Sequence, residues 1–120
     1  MLRVLRYFPL KLSDFQSVVT LEASKKRITY LDKDTEIGYI EYKPCTGKIC
    51  LFFITDERYR NRGLGKQILD HVLDDFRKQQ IKRVWLVTNK CPHAFWEQNG
   101  FSYTECPDSS VTMHGYTRTL

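Results

Sequence analysis

This chain predicts an α/β fold in which a mixed β-sheet of six to seven strands surrounds one helical crossover, and three observations carry the prediction. Short segments that alternate apolar and polar residues are separated by turns at 32–34 and 44–47, as in antiparallel hairpins. Residues 49–88 read as strand, helix, strand, and a crossover of that length joins parallel neighbours. A closing pair of alternating segments, 101–105 and 113–120, flanks the turn-rich Pro107-Asp108-Ser109-Ser110. Hairpins before and after a parallel pair make the sheet mixed.

Each element has a local cause. Residues 3–8 read as a first strand closed by Pro9. Ser13-Asp14-Phe15-Gln16 matches a capping box, with Phe15, Val18 and Val19 at helical spacing, so a helix is expected up to Glu22. Val18-Val19-Thr20-Leu21 is also β-prone, which keeps a strand in contention. Residues 27–31 and 37–42 alternate on either side of Asp32-Lys33-Asp34 and form a hairpin. Residues 49–55 (ICLFFIT) are apolar almost throughout, the pattern of a mid-sheet strand covered on both faces. In the crossover helix Leu64, Ile68, Leu69, Val72, Leu73 and Phe76 fall on one stripe, while Lys66, Asp70, Asp74 and Lys78 form a polar face. Residues 83–88 (RVWLVT) read as a short buried strand. A short helix begins at Ala94-Phe95-Trp96-Glu97 and ends at Gly100, a C-terminal stop.

At 120 residues the chain has the length of one domain, here residues 1–120, and a domain of that size buries roughly two-thirds of its unfolded surface. Hydrophobic residues at 42% and charged residues at 28% make a globular composition. No stretch approaches the ~18 apolar residues of a membrane span, and MLRVLRYFPLKL lacks a signal-peptide core. A soluble, cytoplasmic protein is expected. Cys45, Cys50, Cys91 and Cys106 have neither zinc-site spacing nor the density of a disulfide scaffold, so reduced thiols and no metal are expected. The net charge of +5 favours anionic partners.

The segment RNRGLGKQIL, 60–69, places Gly63 and Gly65 at the first turn of the crossover helix, behind Arg58, Arg60 and Arg62. A helix N-terminus has backbone N–H groups without intrahelical partners and about half a positive charge, and so binds anions. Glycine lets a phosphate approach the backbone, and the three arginines are expected to surround it. A Walker loop would need glycine at Arg60 and Ser or Thr at Gln67, and a dinucleotide fingerprint would need glycine at Ile68. What remains is Arg-x-x-Gly-x-Gly.

Tyr59-Arg60-Asn61-Arg62-Gly63-Leu64-Gly65 resembles the R/Q-x-x-G-x-G/A cofactor loop of the GNAT N-acetyltransferases. Ala94-Phe95-Trp96-Glu97-Gln98-Asn99-Gly100-Phe101 resembles that family's A-x-x-F-Y-E-x-x-G-F segment in register, and Asn89 stands where the family often has an asparagine facing the cofactor. The resemblance runs from about residue 36 to the C-terminus. It implies that the fourth and fifth strands splay apart and that acetyl-CoA lies in the resulting V, its pyrophosphate on Arg60, Asn61, Arg62, Gly63, Leu64, Gly65 and Lys66. It further implies that Phe52, Phe53, Ile54 and Thr55 offer backbone groups to the acetylated arm, and that Asn89, Phe95 and Trp96 border it. A backbone donor near Ile54 or Thr55 would stabilise the oxyanion formed when an amine attacks the thioester.

An acceptor ammonium must lose a proton, which calls for a carboxylate nearby. Glu41, Asp56 and Glu57 are the candidates, with Glu41 preferred; His71 and His93 fit surface or capping positions. Trp96 stands where family members often use a tyrosine as general acid, and an indole N–H is no acid in this pH range. Cys91-Pro92 resembles a small GNAT branch with a cysteine beside the thioester, where a thiol can relay a proton or take an acyl group. The family usually places two helices between its first two strands; residues 8–27 have room for one. The shortened region implies an open acceptor pocket, suited to a peptide or protein terminus, or one completed in a homodimer. The expected activity is transfer of acetyl from acetyl-CoA to a primary amine, whether a small amine, lysine or peptide N-terminus, by direct attack. The alternatives are a non-catalytic coenzyme A or acyl-CoA binding module and, more remotely, a small nucleic-acid-binding domain using Lys25, Lys26, Arg27, Arg58, Arg60 and Arg62. No nucleic-acid motif accompanies that charge.

Overall fold

The alternating segments of the N-terminal half form four successive antiparallel strands: β1 (Gln16–Glu22), β2 (Lys25–Asp32), β3 (Thr35–Lys43) and β4 (Lys48–Phe53). This computed structural model describes residues 9–88, 94–105 and 114–120, and the strand expected at 3–8 lies outside them. Helix α1 (Leu64–Lys78) crosses over to β5 (Arg83–Thr88), which lies parallel to β4. After it come the short helix α2 (Ala94–Gln98), β6 (Ser102–Glu105) and β7 (His114–Thr119). The strands form one seven-stranded sheet in the order β1-β2-β3-β4-β5-β7-β6, with β4 at its centre.

The stripe read from the sequence is the core. Leu64, Ile68, Leu69, Val72, Leu73 and Phe76 of α1 are all at most 1% exposed. They pack against Ile28, Tyr30, Ile40, Tyr42, Val84, Leu86 and Tyr116, which are presented by alternate positions of the sheet. Each such side chain contributes about 1.5–3 kcal/mol on leaving water. A polar tie crosses the same layer. The Tyr42 hydroxyl donates to Asp75 Oδ2 at 2.6 Å, and Lys26 Nζ reaches the same oxygen at 3.3 Å, fastening β2 and β3 to α1. Burial pushes the Asp75 carboxyl up, but the hydrogen bonds from Tyr42 and Lys26 outweigh it and hold the group below its usual range. Burial, followed by the bond to Asp75, raises Tyr42 far above the usual phenol range, and burial alone takes Tyr30 up to about 12.

Three sequence expectations are corrected. The helix expected at 13–22 is a single 3-10 turn, Leu12–Asp14, followed by β1. The β-branched run Val18-Val19-Thr20 pairs with residues 27–29 of β2, and a pleated surface suits such side chains better than a helix does. Where residues 8–27 are expected to hold one helix, the described residues 9–27 hold only that turn and β1, which runs into β2 through Ala23 and Ser24. β4 and β5 are not covered on both faces: Leu51 is 48% exposed and Trp85 39%, because the buried residues of α1 pack on the other face of the sheet. Among the described residues, no helix is long and apolar enough to cross a membrane.

Candidate active site

The central strand and its parallel neighbour share one register pair, Lys48 with Trp85, and Trp85 N–H donates to the Gly47 carbonyl at 3.0 Å. Beyond that pair no further register pair joins the described parts of β4 and β5, while β4 stays paired with β3 as far as Phe53. A cavity of about 650 Å³ opens there. Phe52, Phe53 and Ile54 from the end of β4, Tyr59, Arg60, Asn61 and Gly63 from the following loop, Gly65 and Lys66 from α1, and Phe95, Trp96, Gln98 and Asn99 around α2 line it.

Glycine shapes the helix entry in two ways. Gly63 is the N-cap of α1 at φ +88°, a left-handed conformation that costs a residue with a Cβ roughly 1–2 kcal/mol. At Gly65 a Cβ would stand 3.0 Å from Phe95 Cε1, so its absence keeps the space between helix and ring open. Among the described residues no side chain caps this N-terminus, and its first turn holds no acidic residue. The N–H groups of the first turn, which have no intrahelical partners, and the positive end of the helix dipole therefore border the cavity.

The three arginines do not act alike. Arg60 lines the cavity, its Nε bonded to the Ile54 carbonyl at 2.9 Å and its guanidinium over the Phe53 ring at 5.1 Å. Arg58 forms a paired contact with Asp56, at 3.1 and 2.7 Å, and pulls that carboxyl below its ordinary range. Arg62 donates to the Arg58 carbonyl at 3.3 Å. The expected ring of three cations is thus one cation at the cavity and two that brace the loop.

Two further ties hold the loop. The Tyr59 hydroxyl donates to Asp32 at the end of β2, a bond that, with burial, raises the tyrosine above its usual range. Gln67 Oε1 accepts from Leu12 N–H at 2.8 Å, and its Nε2 donates to the Leu10 carbonyl at 2.6 Å, anchoring residues 10–12 beside the helix N-terminus. On the far wall the rings of Phe52, Phe95, Trp96 and Phe101 meet edge to face, with centroids 5.1–5.9 Å apart.

Of the residues expected at the site, the cavity brings together Phe52, Phe53, Ile54, Arg60, Asn61, Gly63, Gly65, Lys66, Phe95 and Trp96. Leu64 is buried in the core, and Thr55 and Arg62 do not line the cavity. Glu41 does not line it either; it sits on β3 opposite Leu51 of β4, on the sheet face away from α1. Asp56 is engaged by Arg58, and Glu57 and His71 are exposed. Asn89, Cys91 and His93 lie outside the described residues. Tyr59, Gln98 and Asn99 line the cavity unforeseen, although Gln98 and Asn99 stand inside the 94–101 segment that resembles the family.

A cavity beside a helix N-terminus, walled by aromatic rings, has a shape and a lining suited to an elongated, anionic, partly apolar ligand. The sequence matches the acetyltransferase (GNAT) family over residues 6–101, and the chain belongs to that family. It is accordingly an acyltransferase of the kind that draws its acetyl group from acetyl-CoA. No curated protein sequence matches the chain significantly. Solved structures share the fold. An acetyltransferase from Thermus thermophilus is 23% identical at a TM-score of 0.68, over 83% of this chain and 67% of its own. The PaiA N-acetyltransferase of Thermoplasma acidophilum, in complex with coenzyme A, is 19% identical at 0.69, over 81% of this chain and 62% of its own. A GNAT family acetyltransferase from Elizabethkingia anophelis with acetyl-CoA bound is 13% identical at 0.69, over 89% of this chain and 99% of its own. The chain thus spans about two-thirds of the first two proteins and nearly all of the third.

Proposed function

We propose that this chain transfers the acetyl group of acetyl-CoA to a primary amine by direct attack, and that the cavity at the parting of β4 and β5 is its cofactor site. The observation that carries the reading is the meeting, in one cavity, of the N-terminus of α1, Gly63, Gly65 and Arg60 with the end of β4 at Phe52, Phe53 and Ile54. The first group suits a pyrophosphate; the second suits an extended amide-bearing arm, which can add to β4 as a further strand does.

Acetyl-CoA would supply an acetyl group activated as a thioester. The backbone N–H groups of Gly65 and Lys66 and the Arg60 guanidinium would hold the phosphates. The backbone at Phe52, Phe53 and Ile54 would orient the arm, and Phe95 and Trp96 would exclude water from its apolar part. The sheet face opposite α1 is uncovered by any described helix and offers the acceptor its approach. Glu41 stands on that face, and we assign it the role of taking the ammonium proton through a water. Trp96, with an indole N–H and no acidic hydroxyl, serves as a wall rather than a proton donor.

Calorimetric titration with acetyl-CoA and with its dephosphorylated analogue, followed by thiol release against small amines, lysine derivatives and N-terminal peptides, tests the reading. Micromolar binding with turnover on an acceptor supports it. Binding without turnover on any acceptor would favour a coenzyme A binding module, the reading that Trp96 in the tyrosine position also fits. Absence of binding would overturn both.

A further inference from the structure

The loop that enters α1 holds a backbone conformation that its own residues do not favour. Arg60 is extended, at φ −79° and ψ 154°, but Asn61 stands at φ +59° and Gly63 at φ +88°. A residue with a Cβ enters the left-handed region at a cost, and it persists there when the surrounding structure fixes it. Two side chains do the fixing, one at each end of the turn. Behind it, Gln67 Nε2 donates to the Gly63 carbonyl at 3.1 Å and to the Leu10 carbonyl at 2.6 Å. Ahead of it, the Tyr59 hydroxyl donates to Asp32, the last residue of β2, which lies across β3 from β4. The Tyr59 ring also meets the Phe15 ring edge to face, with centroids 5.7 Å apart.

We propose that Asp32 and Tyr59 are positioning residues of the cofactor site: their hydrogen bond sets the place of Arg60 and, through it, the affinity for acetyl-CoA. The inference rests on the cofactor site proposed above. Tyr59 and Arg60 share a peptide bond, so whatever fixes the first constrains the second. The 3-10 turn Glu57–Tyr59 is bonded to the sheet at its start, where Asp56 N–H donates to the Ile37 carbonyl of β3 at 3.3 Å. Its far end is held to β2 by the Tyr59 hydroxyl. Without that bond Tyr59 and Arg60 can swing about the bonded start, and the Arg60 guanidinium, whose Nε meets the Ile54 carbonyl at 2.9 Å, is no longer presented at one place. A cation already held where a phosphate will lie binds it more tightly, because less ordering remains to be done on binding. Gln67 anchors the helix entry separately, so loss of the Tyr59 bond falls on the Arg60 end of the loop.

Calorimetric titration of the full chain with acetyl-CoA tests the tie, with circular dichroism to establish folding. Tyr59→Phe keeps the ring in the cavity wall and removes only the hydroxyl. This variant and Asp32→Ala should each weaken binding about fivefold, and the double variant should bind no more weakly than either, since both remove one bond. Asp32→Asn keeps an acceptor oxygen for the hydroxyl and should recover most of the affinity. In an Arg60→Ala background Tyr59→Phe should change the affinity less than about twofold, because the tie acts through Arg60. Wild-type affinity in folded Tyr59→Phe overturns the proposal and leaves the cofactor site standing, as does a fivefold loss that persists in the Arg60→Ala background. A wild-type chain that does not bind acetyl-CoA overturns the cofactor site and the proposal with it.

Discussion

Replacing Gly65 by glutamate puts a negative charge where the proposed function places a pyrophosphate. A Cβ at this position stands 3.0 Å from Phe95 Cε1 and 3.7 Å from Phe52 Cζ, so the ring of Phe95 must yield by a few tenths of an ångström and the longer side chain is directed along the cavity. A carboxylate ~5 Å from a phosphate, at an effective dielectric constant of ~40, is repelled by about 1.7 kcal/mol per unit charge. That corresponds to about 20-fold weaker binding, more if both phosphates are felt. The fold should survive, since a carboxylate in the first turn stabilises a helix by about 0.3–1 kcal/mol. Gly65→Ala adds the same Cβ without charge, gains about 1 kcal/mol of helix propensity against the ring contact, and should bind within about threefold of wild type. Calorimetry of all three proteins, with circular dichroism to establish folding, decides the matter. A folded Gly65→Glu variant with wild-type affinity would refute the phosphate assignment. An alanine variant as weak as the glutamate one would show that displacement of Phe95, and not charge, controls the site.

At the neighbouring glycine the expected effect is on stability: Gly63→Ala forces a Cβ into φ +88°, costs about 1–2 kcal/mol and lowers Tm by several degrees in a thermal scan. Asp75→Asn removes the charged acceptor shared by Tyr42 and Lys26 and should cost about 2 kcal/mol at neutral pH in a urea titration. Because the folded Asp75 carboxyl is held below its usual range, the advantage of wild type over this variant should be complete above the unfolded value near ~4 and vanish as pH falls through the folded one. Trp96→Ala opens the ring cluster with Phe52, Phe95 and Phe101; it should destabilise the half-buried site by about 2 kcal/mol and weaken acetyl-CoA binding, whereas Trp96→Phe should keep both. Glu41→Gln should lower kcat with little change in the KM for acetyl-CoA, and unchanged kcat would remove Glu41 from the mechanism.

What the chain declares by itself is what short-range periodicity and backbone chemistry record. The α1 stripe is legible because a 3.6-residue repeat has one way to bury Leu64, Ile68, Leu69, Val72, Leu73 and Phe76 together. The helix entry is legible because two glycines in three positions serve no helix interior, and Gly63 indeed stands at positive φ. The hairpin around the turn at 32–34 follows from alternation and the turn at 44–47 from Pro44 and Gly47, and both pairings hold in the sheet.

Tertiary structure decided the rest, because the deciding partners are distant in sequence. Residues 13–22 satisfy a helical spacing and a β propensity at once, and only the ladder from β2 settles them as a strand. Composition sees three equivalent arginines; their separate duties depend on Asp56, on the carbonyls of Ile54 and Arg58 and on the direction of the loop. Tyr59 belongs to the cavity through its bond to Asp32, 27 residues away. The bare faces at Leu51 and Trp85 reflect helices packed to one side of the sheet, a choice that no local pattern in an apolar strand encodes.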